Sequence, residues 1–217
     1  MAQSIPANAP ALMHPTEISR PIHHAGWVYE EKVDGWRIVA LKADGHVRLV
    51  SRNGRDHTKR FPRLVKALAE FKPATFTLDG EVARLVKALA EFKPATFTLD
   101  GEVAVYDRAF ISRFEWLRAR PKDEPATLAV YIVFDVLELE GRDLRGKPLK
   151  ERRRALERLI GGRSMIFPVR RLSRDGFKAW EEAVKFGYEG IVTKDPESEC
   201  VAGRTLGWIT KRPGQYA

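Results

Sequence analysis

A perfect tandem duplication limits how this chain can fold more than any other feature. Residues 63–83, RLVKALAEFKPATFTLDGEVA, recur without a change as residues 84–104. Two copies are too few for a repeat architecture, so the duplication lies within a domain and does not indicate a solenoid. Each copy predicts a short helix that ends near its Lys-Pro step, followed by a strand that contains Leu-Asp-Gly-Glu. A given strand position in a closed sheet is filled once, so only one copy can supply that strand.

The residues after each copy favour the second copy as the source of the strand. After Glu102, residues 105–107 (VYD) extend the strand. After Glu81, residues 84–87 (RLVK) begin a helix and cut the strand short. The first copy has an advantage of its own, a helix start at Phe61-Pro62. Closing a longer loop costs only about 0.6 kcal/mol per doubling of its length, so either copy can be extruded. We expect Glu102 to line a binding pocket, with Glu81 as the alternative.

Residues 31–37 (EKVDGWR) set a lysine among charged groups. A lysine amine is a nucleophile only when it is neutral, and an unperturbed lysine has a pKa of about 10.4. On a strand, Asp34 would project from the same face as Lys32 and orient its amine. Arg37, beyond Gly35, is suited to binding a phosphate bidentately. An exposed strand with paired charges explains these seven residues equally well.

The next segment predicts a β-hairpin. Residues 36–41 alternate in polarity toward Asp44-Gly45, and residues 46–52 follow that turn. Asp-Gly between two such runs is a strong hairpin signal. The hairpin would bring Arg52 close to Lys32, where it is either a second phosphate ligand or an ordinary surface arginine at a turn.

The second half of the chain predicts two strands and two helices. The apolar run 128–137 is typical of a buried central strand, and its Phe134 is either core or a stacking partner for a nucleobase. A strand over 188–194 ends in Lys194, which either binds phosphate or extends into solvent. Helices are predicted over 149–160 and 175–186, the second with Phe177, Trp180 and Val184 on one face.

The net charge of +9 is concentrated in one segment. Residues 142–174 hold 12 basic and 3 acidic residues, so the net charge of this segment, +9, equals that of the whole chain. We expect the run 150–154 (KERRR) to lie outside, either as a nucleic-acid surface or as a solvated helix face. The lone Cys200 excludes an internal disulfide and suits a reducing cytoplasm. No apolar run is long enough to span a membrane.

Five motifs together resemble the covalent nucleotidyltransferase superfamily, most closely the adenylation domain of bacterial ATP-dependent DNA ligases of the end-joining repair type. In chain order they are EKVDGWR at 31–37, SRNG at 51–54, the duplicated LDGE at 78–81 and 99–102, VFDVL at 133–137 and EGIVTK at 189–194. One such motif is a weak signal, but five in this order are specific. The resemblance extends from about residue 26 to residue 215.

The resemblance implies an α+β fold of two packed, mostly antiparallel β-sheets with flanking helices. An ATP pocket is expected between the sheets, as in covalent nucleotidyltransferase or ATP-grasp-like folds. The implied organisation is an extended lead-in over residues 1–25 and an adenylation domain over 26–217 that contains the duplication. The oligonucleotide-binding domain that follows in this family is expected to be absent.

The resemblance also implies a reaction. Lys32 would attack the α-phosphorus of ATP and form a lysine-AMP phosphoramidate, with Mg²⁺ neutralising the phosphates. The AMP would pass to the 5′-phosphate of a nick, and a 3′-hydroxyl would then displace it. The implied ATP-binding residues are Glu31, Lys32, Arg37, Arg52, Glu102 (or Glu81), Phe134, Lys194 and Arg212. The implied metal ligands are Glu189 and Glu102.

One motif departs from the family pattern. The family places lysines at the first and third positions after a Trp-aliphatic pair, where this chain has Thr210 and Arg212 with Lys211 between them. RNA ligase, a capping guanylyltransferase and a non-catalytic nucleic-acid-binding relic remain alternatives. We expect a cytoplasmic monomer that acts on nicked duplex DNA, with end-joining repair proteins as possible partners and no membrane association.

Overall fold

The computed structural model describes residues 10–71, 96–118, 127–161 and 164–213. Two β-sheets dominate it. The strands are β1 Met13–Glu17, β2 Val28–Glu31, β3 Trp36–Ala43, β4 His46–Ser51, β5 Phe97–Ala104, β6 Val130–Leu139, β7 Arg142–Asp143, β8 Ile166–Pro168, β9 Ile191–Lys194 and β10 Gly203–Lys211. The helices are α1 Pro62–Ala69, α2 Glu115–Arg118, α3 Leu149–Ile160 and α4 Gly176–Phe186, with a 3-10 turn at Thr58–Arg60.

The smaller sheet has the order β1-β10-β9-β2, and the larger sheet has the order β4-β3-β5-β6-β7 with β8 beside β6. Neighbouring strands are antiparallel except for the β1/β10 and β6/β8 pairs. The main core lies against the larger sheet, where Leu64 and Leu68 of α1 and Leu156 of α3 pack with strand residues such as Ile38 and Leu99. The α+β fold with two mostly antiparallel sheets is confirmed.

Both copies of the duplication contribute to the described part of the fold. The first copy supplies helix α1, and the second copy supplies the central strand β5, which pairs with both β3 and β6. Lys42 of β3 donates to the carbonyl oxygens of Ala69 and Phe71 at 2.7 and 2.6 Å, which ties the end of α1 to the sheet. The strand that we expected from the second copy is β5. Glu81 lies outside the described residues.

The segment assigned to an extended lead-in contributes to the sheet. Strand β1 pairs in parallel with β10, and Leu12 and Met13 are buried. Pro15 lies at the register shift of this pair, where the ladder is already irregular. The boundary drawn near residue 25 therefore cuts off a strand of the fold, because the pairing partner that defines β1 lies almost 200 residues further along the chain.

Helix α3 has the predicted limits, but its charged run is not outside. Arg152 and Arg153 have side chains that are 0% and 4% exposed. Each is paired with a buried carboxylate, Asp135 for Arg152 and Glu30 for Arg153. The expectation of an external run at 150–154 was wrong for these two arginines, because partners distant in sequence compensate their charges.

Helix α4 leaves two large residues of its apolar face exposed. Phe177 and Val184 are 53% and 52% exposed, whereas Ala179 and Ala183 are fully buried. Both alanines belong to a cluster with Tyr29 and Ile191. Small side chains let the helix approach the smaller sheet closely, so the burial follows the alanines and not the large residues. Within the described ranges, no helix is long and apolar enough to cross a membrane.

Candidate active site

A cavity of about 270 Å³ lies between the two sheets. Its lining comes from β1, β2, β9 and β10 of the smaller sheet and from β3, β5 and β6 of the larger one. The lining residues are His14, Pro15, Glu30, Glu31, Lys32, Val33, Arg37, Arg52, Glu102, Phe134, Val169, Val192, Lys194 and Trp208. The cavity thus gathers seven of the residues predicted from the sequence to bind a nucleotide.

Lys32 follows the end of β2 at the mouth of this cavity. Its backbone N–H donates to the Gly190 carbonyl at 2.9 Å, and its Nζ lies 2.5 Å from Glu189 Oε2. The chain then passes Gly35, where an added Cβ would lie 2.5 Å from the Val103 carbonyl oxygen. Gly35 is therefore required for the close approach that places Lys32 beside β5.

Asp34 does not orient the lysine. Its carboxylate accepts from the Phe114 N–H at 3.2 Å, and its own N–H donates to Ser112 Oγ at 2.8 Å. The prediction for Asp34 assumed a continuous strand, but residues 32–35 lie between β2 and β3. The carboxylate that contacts the Lys32 amine is that of Glu189.

Two carboxylates lie near the Lys32 amine. Burial raises the pKa of Glu102 to about 8, a shift that nearby Glu189 increases and that the positive charge of Lys32 opposes. A divalent cation would favour the ionised form of Glu102, and Mg²⁺ commonly binds one or two protein carboxylates together with substrate phosphates. In the described ranges no three potential metal ligands form a group.

Lys194 lies deep in the cavity. Its Nζ is 2.6 Å from Glu30 Oε2, 4.8 Å from the centroid of the Phe134 ring and 3.9 Å from that of Trp208. Burial lowers the pKa of the Lys194 ammonium, although the Glu30 carboxylate opposes the shift. The ammonium therefore has an ionic partner, two aromatic neighbours and contact with the cavity.

Arg37 and Arg52 differ in how free they are to bind a ligand. Arg37 holds Asp100 through Nε at 3.1 Å and Nη2 at 2.7 Å, and Nη2 also donates to the Met13 carbonyl at 2.7 Å. Bidentate binding of phosphate by Arg37 would require breaking the Asp100 pair. Arg52 is exposed just after β4 and also lines the cavity.

Glu31 and Arg212 lie at the edges of the site. Glu31 is 2% exposed, its Oε2 lies 3.5 Å from Arg170 Nε, and burial raises its pKa to about 7. Arg212 Nε lies 3.6 Å from Glu189 Oε1. Thr210, at a lysine position of the family pattern, donates its hydroxyl to the Ile191 carbonyl at 3.1 Å and is buried.

Sequence reasoning missed seven of the fourteen lining residues, and three of these seven carry a charged or aromatic side chain: Glu30, His14 and Trp208. His14 was assigned to the lead-in, and its Nδ1 lies 3.2 Å from Arg37 Nη1. Glu30 was passed over because its neighbour Glu31 is part of the motif. Its position was a usable signal, since Glu30 lies on β2 two residues before Lys32, which follows the end of that strand.

Comparison with known proteins identifies the family. The family model for the ATP-dependent DNA ligase domain matches residues 6–209. The chain belongs to this family. The multifunctional non-homologous end joining protein LigD of Pseudomonas aeruginosa is 36% identical over 186 residues, which cover 84% of this chain and 20% of that protein. LigD of Mycobacterium tuberculosis is 33% identical over 185 residues, which cover 84% of this chain and 21% of that protein.

Solved structures agree with this assignment of the ligase fold. The ligase domain of M. tuberculosis LigD matches with a TM-score of 0.71 and 30% identity, over 94% of this chain and 60% of that chain. Mycobacterial DNA ligase D complexed with ATP and MES matches with a TM-score of 0.65 and 29% identity, over 91% of this chain and 60% of that chain. The ligase chain described here spans about a fifth of the length of its curated LigD relatives.

Proposed function

We propose that this chain is the adenylation domain of an ATP-dependent DNA ligase, with Lys32 as the AMP acceptor. The observation that carries the proposal is the position of the Lys32 amine, 2.5 Å from Glu189 in a cavity between the sheets that Lys194 and Phe134 also line. A mycobacterial relative of the same fold was solved as a complex with ATP, which supports ATP as the nucleotide.

The proposed first step joins Lys32 to AMP. Lys32 Nζ gives a proton to Glu189 and attacks the α-phosphorus. As the new N–P bond forms, the bond to the leaving pyrophosphate breaks. Lys194 would stabilise the charge that develops on the α-phosphate oxygens, and Phe134 would stack on adenine. Mg²⁺ held by Glu102 and Glu189 would supply neutralisation of the phosphate charge.

In the later steps the AMP would pass to the 5′-phosphate of a nick, and the 3′-hydroxyl would displace it and seal the strand. The test is sealing of a nicked DNA duplex with ATP, compared with GTP and with nicked RNA. Sealing of DNA with ATP alone is the expected result. Transfer of GMP from GTP would favour the capping guanylyltransferase. Sealing of nicked RNA would favour an RNA ligase, and the absence of any nucleotide transfer would favour the non-catalytic relic.

Glu102 is proposed to be the pocket carboxylate of the duplicated motif. Glu102→Ala should reduce AMP-enzyme formation by about 10²-fold or more, since it removes a metal ligand beside the reacting amine. Glu81→Ala is the matched control from the other copy and should remain near the wild-type rate. A severe loss in the Glu81 variant alone would reverse the assignment.

The nucleic-acid surface is proposed to include the exposed arginines of α3. Arg154 and Arg158 are exposed and four residues apart, so they share a helix face. Replacing both with Gln should weaken binding to nicked duplex and reduce the slope of log K against log salt by about 0.9 per lost phosphate contact. Lys178→Gln on α4 is the control, and an unchanged slope in the double variant would show that this face is merely solvated.

The wider biological setting is also proposed from the relatives. Because the matched relatives are named as end-joining proteins, we propose that this domain acts in double-strand break repair with partners of that type. The expected monomeric state and cytoplasmic location remain predictions.

A further inference from the structure

Arg153 belongs to a buried ion cluster at the back of the cavity. Its Nη1 lies 3.0 Å from Glu30 Oε1, and Glu30 Oε2 lies 2.6 Å from Lys194 Nζ. The Arg153, Glu30 and Lys194 side chains are 4%, 1% and 2% exposed. Two cations thus share one carboxylate, and the cluster has a surplus positive charge that water does not screen.

The same guanidinium reaches both walls of the cavity. Arg153 comes from α3, Glu30 from β2 of the smaller sheet, and Phe134 from β6 of the larger sheet. Arg153 Nη1 lies 3.5 Å from the Phe134 carbonyl oxygen as well as near Glu30. Lys194 in turn lies over the Phe134 ring. Arg153 therefore contacts the direct neighbours of Lys194 on both sides without lining the cavity between the sheets itself.

We propose that Arg153 is a positioning residue for Lys194, acting through the shared carboxylate of Glu30. By taking part of the charge of Glu30, Arg153 leaves the Lys194 ammonium able to attract the α-phosphate oxygens of ATP. Without Arg153, Glu30 and Lys194 form a neutral pair, and the full charge of Glu30 holds the Lys194 ammonium at its present contact of 2.6 Å more tightly. This inference rests on the proposed adenylation function.

Removing Arg153 should affect the rate of AMP-enzyme formation more than the binding of ATP. Negative charge on the α-phosphate oxygens is better stabilised in the transition state when a preorganised cation lies close to them. A Lys194 whose charge is neutralised by Glu30 therefore lowers the rate of AMP-enzyme formation at saturating ATP and changes the Kd for ATP less. A purely structural role of Arg153 would lower the melting temperature and affect the rate regardless of Lys194.

The test is a double-mutant cycle on AMP-enzyme formation at saturating ATP. Arg153→Gln should slow the reaction by about 10- to 10²-fold, and Lys194→Met by about 10²- to 10³-fold. In the Lys194→Met background, Arg153→Gln should add less than about threefold, because the residue through which it acts has been removed. Lys178→Gln is the surface control, and melting curves establish that each variant is folded at the assay temperature.

A second variant keeps the test decisive if Arg153→Gln does not fold. Arg153→Lys retains the charge on a shorter side chain, whose ammonium does not extend as far as Nη1, so it should slow wild type about fivefold and leave Lys194→Met unchanged. If the rate losses of the two single variants multiply in full in either double-mutant cycle, the positioning role of Arg153 is overturned. Absence of AMP transfer in the wild-type chain would instead contradict the proposed function, so the two failures are distinguishable.

Discussion

Lys32→Ala is expected to abolish formation of the AMP-enzyme while leaving the domain folded. Removing a catalytic nucleophile typically costs on the order of 10⁶-fold in rate, so the radiolabel from ATP should fall to background. The effect on stability should be small, because the Lys32 and Glu189 side chains are 17% and 27% exposed and such pairs contribute less than about 1 kcal/mol.

The measurement for Lys32→Ala is covalent transfer of label from ATP, with a melting curve on the same sample. Lys178→Gln, an exposed lysine on α4, is the matched control and should label like wild type. Persistent labelling of the Lys32 variant would show that another group accepts AMP.

Arg152→Gln is expected to cause the largest loss of stability. Arg152 and Asp135 are both fully buried and joined by two contacts of 2.8 Å, and Arg152 Nη1 also donates to the Lys147 and Ser198 carbonyl oxygens. Breaking a buried pair by removing one partner leaves an uncompensated charge, which costs about 3–5 kcal/mol. The free energy of unfolding should therefore fall by about that amount in urea titrations.

Two controls accompany the Arg152 variant. Arg154→Gln, at the exposed neighbouring position, should change the free energy of unfolding by no more than about 0.5 kcal/mol. Asp135→Asn combined with Arg152→Gln should recover part of the loss, because no buried charge is then left without a partner. A loss below about 1 kcal/mol for Arg152→Gln would mean that Asp135 is protonated or solvated in the folded state.

Local signals in the sequence were sufficient for much of the fold. The Asp-Gly pair between β3 and β4 has positive φ at both positions, 47° at Asp44 and 77° at Gly45, as a tight hairpin turn requires. The limits of α3 follow from Pro148 before it and Gly161 after it. These features are determined by residues that are adjacent in the chain, so they can be predicted from a single sequence.

Long-range pairing was what the sequence did not show. Arg152 and Arg153 look solvated in the run KERRR, and only Asp135 and Glu30 from distant strands make their burial possible. Strand β1 exists because β10 pairs with it. In the candidate site, motif order predicted which residues converge, but not that Glu189 is the carboxylate against Lys32.

The most direct test of this account is peptide mapping by mass spectrometry after incubation of the full chain with ATP and Mg²⁺. We predict one adenylyl group per chain, attached to the peptide that contains Lys32 and removed again by added pyrophosphate. An unmodified chain, or an adenylyl group on any other residue, would contradict the account.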